Sequence, residues 1–393
     1  MQNIDVLIIG AGAAGLMCAI EAAKRGRKVL IIEHANKPGK KILMSGGGRC
    51  NFTNYNIAPE NYISHNPHFV KSALSRYTQW NFIALVEQYG IAYHEKVHGQ
   101  LFCDHKAKDI LSMLLSECEK AGAILHLKES VTNLKKTSPN HFMVETNLNQ
   151  YQCESLVIAS GGLSIPTLGA SPFGYKIAEQ FDINIWPTRA GLVPFTLHNI
   201  DKARFDSLPG ISNDSLVQSP QNQFRENILF THRGLSGPAI LQISSYWTPG
   251  ENITINLLPN NNLSDILTIS KAENPVTGLK TILSKYFAKK LVSALLDNQT
   301  LDKKLKTLSK QEIENISQAF HQFEIKPNGT EGYRTAEVTL GGVDCNAISS
   351  KTMEAKNTKG LFFIGEVLDV SGWLGGYNFQ WAWSSGWAAG QAA

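Results

Sequence analysis

Asp5-Val-Leu-Ile-Ile-Gly-Ala-Gly-Ala-Ala-Gly15 stands at the start of the chain, and the backbone it demands decides the fold. Residues 5–9 form a run suited to a buried strand. Residues 13–25 are alanine-rich with apolar side chains at helical spacing, and Gly26 stands where a helix ends in a left-handed residue. Lys28-Val-Leu-Ile-Ile-Glu33 is a second strand. Between the first strand and the helix, each glycine has a physical task. Gly10 makes the tight turn, Gly12 lets backbone approach a pyrophosphate, and Gly15 lets the helix pack on the strand. The first helical amides, at Ala13 and Ala14, then face the anion. Glu33 closes the second strand, placed to accept from ribose hydroxyls and to repel a 2′-phosphate. An adenine dinucleotide is expected here, FAD and NAD being equally compatible with this motif.

The whole chain has 393 residues, which at about 150 residues per domain predicts two or three domains. With 43% hydrophobic and 18% charged residues and a net charge of +4, it is a globular protein with no general polyanion-binding surface. Residues 285–310 hold seven lysines against Asp297 and Asp302, but Leu291, Leu295, Leu296, Leu301, Leu305 and Leu308 recur at near-helical intervals. This reads as helices with a solvated lysine face, so nucleic acid is not expected as a partner. The six cysteines form no CxxC pair and no metal spacing, which predicts a reducing, cytoplasmic setting and no metal site. Residues 6–20 are too short and too glycine-rich for a signal peptide, and the uncharged residues 370–393 contain five glycines and several amides. Neither predicts a membrane span.

Glycine is sparse between residues 191 and 330, which hold seven of the 32. That break predicts a discontinuous domain, 1–190 with 331–393, interrupted by a β-rich domain at 191–270 and a helical domain at 271–330. Strand-like segments near 123–127, 130–134, 142–146 and 156–159 follow a helix at 108–120, arguing for a parallel α/β sheet with a small antiparallel excursion. In the insertion, residues 191–197, 227–231 and 252–258 look strand-like and 279–320 helical.

Three further motifs favour FAD. Met44-Ser-Gly-Gly-Gly-Arg-Cys-Asn51 offers flexible amides at Gly46 and Gly47, with Lys41 and Arg49 available to anionic oxygens. Residues 156–162 are a strand ending in Ala159, Gly161 and Gly162, small enough for close ligand approach. Residues 360–369 are another strand, ending in Gly365, Glu366 and Asp369, and lead into Gly375-Gly-Tyr-Asn-Phe-Gln380. A helix starting near Asn378 would aim its positive end at reduced flavin. No second glycine triplet lies between a strand and a helix, so NADH or NADPH would bind transiently, or the reductant is something else.

Together the motifs resemble the glutathione-reductase-like class of FAD proteins. With Thr231-His-Arg-Gly-Leu-Ser-Gly-Pro238 and Ala336-Glu-Val-Thr-Leu-Gly-Gly-Val343, they resemble, more closely, the bacterial conserved flavoprotein family of BaiN-type NAD(P)/FAD-dependent oxidoreductases, also described as aminoacetone-oxidase-like. The resemblance implies an FAD-binding Rossmann domain with an inserted β-barrel-like and helical region. It implies FAD contacts at Ala14, Glu33, Lys41 to Asn51, Val131, Gly162, Glu366 to Asp369, and Gly376, Tyr377, Asn378 and Gln380. Arg49, His232 and Tyr377 are the candidates for substrate handling: Arg49 as a clamp on a carbonyl or carboxylate, His232 or Tyr377 as a proton source. Cys50 lacks an identifiable base and reads as a small buried residue. The expected activity is NAD(P)H-linked reduction of a small carbonyl or activated alkene. An amine oxidase and a tRNA-acting flavoprotein are the alternatives.

Overall fold

The computed structural model describes residues 1–393, which fold as two compact units: residues 1–189 with 338–393, and residues 190–337. In the first unit, β1 (Gln2–Ile9) pairs in parallel with β2 (Val29–Glu33) on one side and with the strand Gln150–Ile158 on the other. Ile124–Leu127 extends the sheet beyond β2, and Leu361–Phe363 pairs in parallel with Gln150–Ile158. The antiparallel excursion is a hairpin of Val131–Ser138 and His141–Thr146 laid beside Gln150–Ile158.

The parallel strands are apolar where both faces are covered, at residues 6–9, 29–32 and 156–158. Leu7, Ile8 and Ile31 have no solvent exposure, and each such side chain contributes roughly 1.5–3 kcal/mol of burial free energy. One cover is α1 (Ala13–Lys24), which starts at Gly12, ends at Arg25 and is followed by Gly26 at φ +80°, as the sequence pattern required.

The uncharged tail is the helix Tyr377–Gly390, which packs against α1. A Cβ on Gly386 would sit 2.5 Å from Ala14 O, and one on Gly390 would sit 2.6 Å from Glu21 Cβ. The two helices approach so closely because Gly386 and Gly390 have no side chain there. Arg25 Nη1 donates to Gly390 O and Ala393 O, both at 2.9 Å, supplying the positive charge that a helix C-terminus favours. Trp383 stacks on Phe82 at 4.3 Å and donates from Nε1 to Phe52 O. The tail is thus buried protein core, and no helix in the chain is long and apolar enough to cross a membrane.

The second unit contains a seven-stranded antiparallel sheet in the order 323–325, 253–256, 212–218, 223–230, 234–236, 195–196, 329–330. Its strand-then-helix order is less simple than the composition suggests: Phe323–Ile325 and Gly329–Thr330 follow the helices and return to complete the sheet. Ser212–Gln218 escapes sequence reading because it buries only Ser215 and Val217 and presents no apolar run. The expected strand at 191–197 contracts to Phe195–Thr196, and the helical stretch divides into Leu279–Leu283, Lys289–Leu295, Asn298–Leu301 and Lys310–His321.

Lys310–His321 begins with a reciprocal cap. Ser309 Oγ accepts from Glu312 N at 3.2 Å, and Glu312 Oε2 accepts from Ser309 N at 2.7 Å. The Lys303 ammonium and these Ser309 bonds draw the Glu312 carboxyl down to about 2. Ser309→Ala is expected to cost about 1 kcal/mol locally, seen as roughly five-fold faster amide exchange over residues 310–321, with Ser309→Thr restoring protection.

Candidate functional site

The carboxyl ends of β1, Gln150–Ile158 and Leu361–Phe363 lie side by side, so Gly10, Ala159 to Gly162 and Gly365–Glu366 converge on one edge of the sheet. In open α/β sheets this is the edge where ligands bind. At its centre Gly10 turns at φ +113°, and a Cβ there would lie 2.4 Å from Ala159 O. A Cβ on Gly15 would lie 2.0 Å from Gly10 O. Gly12 alone of the three would carry a Cβ with nothing within 4 Å of it, so it borders open space beside the free amides opening α1.

Glu33 ends β2 at this edge. Its Oε2 accepts from Ala11 N at 2.9 Å and its Oε1 from Ala35 N at 2.8 Å, which ties the glycine turn to the second strand. Val131 starts the next hairpin, and the stretch before it runs beside β2: Lys128 N donates to Ala35 O and Glu129 N to Glu33 O.

The second group surrounds Glu366. Lys41 Nζ donates to Glu366 Oε2 at 2.6 Å and to Ser164 Oγ at 2.7 Å. Ser164 Oγ and Thr339 N donate to Glu366 Oε1, both at 3.0 Å. A Cβ on Gly162 would fall 2.5 Å from Thr339 Oγ1 and 2.8 Å from Glu366 Oε1. Lys41 and Glu366 therefore compensate each other and stay 35% and 19% exposed.

The glycine loop after Lys40–Met44 has three successive left-handed residues, Gly46, Gly47 and Gly48 at φ +57°, +65° and +87°. Side chains at Gly47 or Gly48 would meet nothing within 4 Å, so their backbone is open to a ligand. Arg49 is exposed and its guanidinium makes no side-chain hydrogen bond or ion pair. Asn51 begins the strand Asn51–Asn54. Cys50 is fully buried, and burial pushes its thiol up to about 12, which makes it unsuitable as a nucleophile.

The start of the last helix is held by side chains. Asn378 Oδ1 accepts from Gly372 N at 2.8 Å and its Nδ2 donates to Gly372 O at 2.9 Å. Asn54 Nδ2 donates to Gly375 O at 2.9 Å, and Gly376 at φ +95° passes so close to Thr53 that a Cβ would lie 2.3 Å from Thr53 O. This presents the first-turn amides around Asn378 and Phe379, which have no acceptor inside the helix.

Several expected contacts differ. The Gln380 side chain is fully buried, accepting from Thr53 Oγ1 at 2.7 Å and donating to Tyr77 O and Ser384 Oγ, so it braces the helix from within. Tyr377 is 6% exposed and edge-on to Tyr62 and Trp373, so its side chain packs in the protein. His232 belongs to the exposed turn before Gly234–Ser236, in the second unit.

Asp369 is 3% exposed and faces a residue the sequence reading missed. Its Oδ2 accepts from His65 N at 2.8 Å and lies 2.9 Å from His65 Nδ1. Burial raises the Asp369 carboxyl, while the bonds from His65 oppose that shift. The His65 ring also stacks on Trp186 at 3.7 Å and 5°. With Nδ1 tied to the carboxylate, Nε2 is the atom left to exchange a proton, on a side chain 50% exposed. Pairing of Tyr62–Ile63 with Ser371–Gly372 sets His65 beside the segment leading to the last helix. No local motif announces it, since His65 and Asp369 are 304 residues apart.

These residues fit FAD on structural grounds. The open face at Gly12 leaves room where a pyrophosphate would meet α1, Glu33 would offer the ribose an acceptor, and a second helix start with first-turn amides lies at Asn378. The fold and site define an FAD-dependent oxidoreductase of the Rossmann class. The chain belongs to the HI0933-like family, whose Rossmann-domain profile matches residues 4–392.

Among curated relatives, a ribosomal RNA dihydrouridine synthase of Escherichia coli (strain K12) is 55% identical over 393 residues, covering 100% of this chain and 98% of the relative. A 3-dehydro-bile acid delta(4,6)-reductase of Clostridium scindens is 28% identical over 98% of each chain. The 3-ketosteroid-delta4-(5alpha)-dehydrogenase of Rhodococcus jostii RHA1 shares the fold, with a TM-score of 0.50 at 13% identity over 99% of this chain and 97% of that one.

Proposed function

We propose that this protein reduces the C5=C6 bond of a uracil base in ribosomal RNA to give dihydrouridine. The observation carrying this reading is the 55% identity to the ribosomal RNA dihydrouridine synthase, sustained along the entire chain. It revises the expectation that nucleic acid is no partner, which rested on a net charge of +4; overall charge says little about a local binding surface. The expected chemistry on an activated alkene is retained, because the uracil C5=C6 bond is conjugated to a carbonyl.

FAD, when bound, would supply a hydride equivalent drawn from transient NADH or NADPH. Hydride adds at C6 and a proton at C5, so each dihydrouracil consumes one NAD(P)H and one proton. The chain's own residues supply the rest. The amides opening α1 would hold the pyrophosphate and Glu33 the ribose. The amides at Asn378 and Phe379 would favour negative charge on a reduced flavin by up to roughly 1–2 kcal/mol. Arg49, free of any internal partner, pairs with a base carbonyl or a phosphate. His65, oriented by Asp369 and Trp186, delivers the proton.

The test uses purified holoprotein with NADH or NADPH and ribosomal RNA from cells lacking the gene. Digestion and mass spectrometry are expected to show a uridine two hydrogens heavier, formed only with protein and reductant. Unchanged RNA beside rapid turnover of small enones would favour the second reading, a small-molecule alkene reductase, which the 28% identical bile acid reductase supports.

A further inference from the structure

The second unit carries a depression of about 270 Å³ lined by Arg204, Ser207, Lys289, Lys290, Ser293 and Ala294. Three of its six lining residues are cationic and none is acidic. Neither lysine nor the arginine forms an ion pair; Lys303, from the same lysine-rich stretch, is by contrast neutralised by Glu312. The nearest acid in sequence, Asp206, lines a separate depression of about 70 Å³ with Lys202 and His232.

Arg204 is held in place rather than waving in solvent. Its Nε donates to Ala294 O at 3.0 Å, and its guanidinium lies 5.2 Å from the Phe205 ring and 6.0 Å from that of Phe323. With Nε engaged, the two terminal nitrogens remain available, the arrangement suited to two phosphate oxygens. Lys289 and Lys290 start the helix Lys289–Leu295, whose Leu291 and Val292 are buried, so the apolar side of the helix fixes where the lysines stand. Ser207 and Ser293 add hydroxyls to the same wall. The lysine stretch that composition assigned to a solvated face is therefore gathered with Arg204, which lies 85 residues earlier in the chain than Lys289.

We propose that this depression is a docking site for the phosphodiester backbone of RNA, holding the substrate through sequence-independent contacts while the flavin site reads the base. The proposal rests on the RNA-reducing reading above, and it assigns to that partner a surface outside the cofactor site. Such contacts position a nucleic acid without specifying its sequence, and each carries a salt dependence.

The experiment compares flavin-loaded wild-type protein, the K289E/K290E variant and a charge-matched K108E/K135E variant altered at exposed lysines of the first unit. The probe is a fluorescent fragment of ribosomal RNA, titrated by anisotropy at several salt concentrations. K289E/K290E is expected to bind at least about ten-fold more weakly, with a log–log salt slope shallower by about 2, one per lost phosphate contact. K108E/K135E should stay within about three-fold of wild type, and all three should keep equal flavin content and equal bleaching by NADH or NADPH. Equal affinity and slope for wild type and K289E/K290E, with dihydrouridine still formed, would overturn the docking site and leave the proposed reaction standing. Absence of any RNA binding by the wild type would overturn both.

Discussion

Gly12→Asp is expected to fold normally and to lose its flavin. At most positions of the glycine turn a side chain would damage the backbone: at Gly10 and Gly15 a Cβ would press on a carbonyl oxygen at 2.4 and 2.0 Å. Gly12 is different, since its φ of −85° suits any residue and its Cβ would meet nothing within 4 Å. It is also the N-cap of α1, where aspartate is among the preferred residues, so the apoprotein should melt no lower than wild-type apoprotein. The same carboxylate would occupy the place of the pyrophosphate and repel it. FAD affinity should fall at least about 100-fold, roughly 2.7 kcal/mol, while circular dichroism and the melting curve stay native. Retention of wild-type affinity, measured by flavin fluorescence quenching, would put the pyrophosphate somewhere other than the start of α1.

His65→Asn is expected to separate proton delivery from flavin reduction. Asparagine keeps a polar group near Asp369 but cannot donate a titrating proton. A positioned acid contributes typically 10²–10⁴-fold, so single-turnover dihydrouridine formation by pre-reduced enzyme should drop at least about 100-fold near neutral pH. Flavin content and bleaching by NADH or NADPH should remain as in wild type. A slowed transfer to the base beside unchanged flavin reduction is a split that simple loosening of the loop would not produce. Asp369→Asn should slow the same step less, because it disturbs the orientation of His65 and leaves the ring in place. Rates within three-fold of wild type for His65→Asn would remove it from the reaction.

The cofactor edge was largely legible because its requirements are local. A glycine turn between a strand and a helix, an acid ending the next strand and a glycine pair opening the last helix are each fixed by backbone geometry within a few residues. Glu366 and Lys41 were chosen separately, and their 2.6 Å contact shows one reason both residue types are present. The side-chain partners of Tyr377, Gln380 and Asp369 were not legible in the sequence, for a common reason. Residues adjacent in a motif can point in opposite directions, and these three point into the protein, toward aromatic rings, toward Thr53 and Tyr77, and toward His65.

Periodicity and glycine placement were thus sufficient for the α/β class and the dinucleotide turn, since these depend on φ, on hydrogen bonding and on side-chain size over short stretches. The His65–Asp369 pair, the buried roles of Tyr377 and Gln380, and the cationic depression joining Arg204 to Lys289 and Lys290 arise from contacts between segments 85 to 327 residues apart. Such contacts are set by how strands register and helices pack in the folded chain, and no spacing along the sequence encodes them.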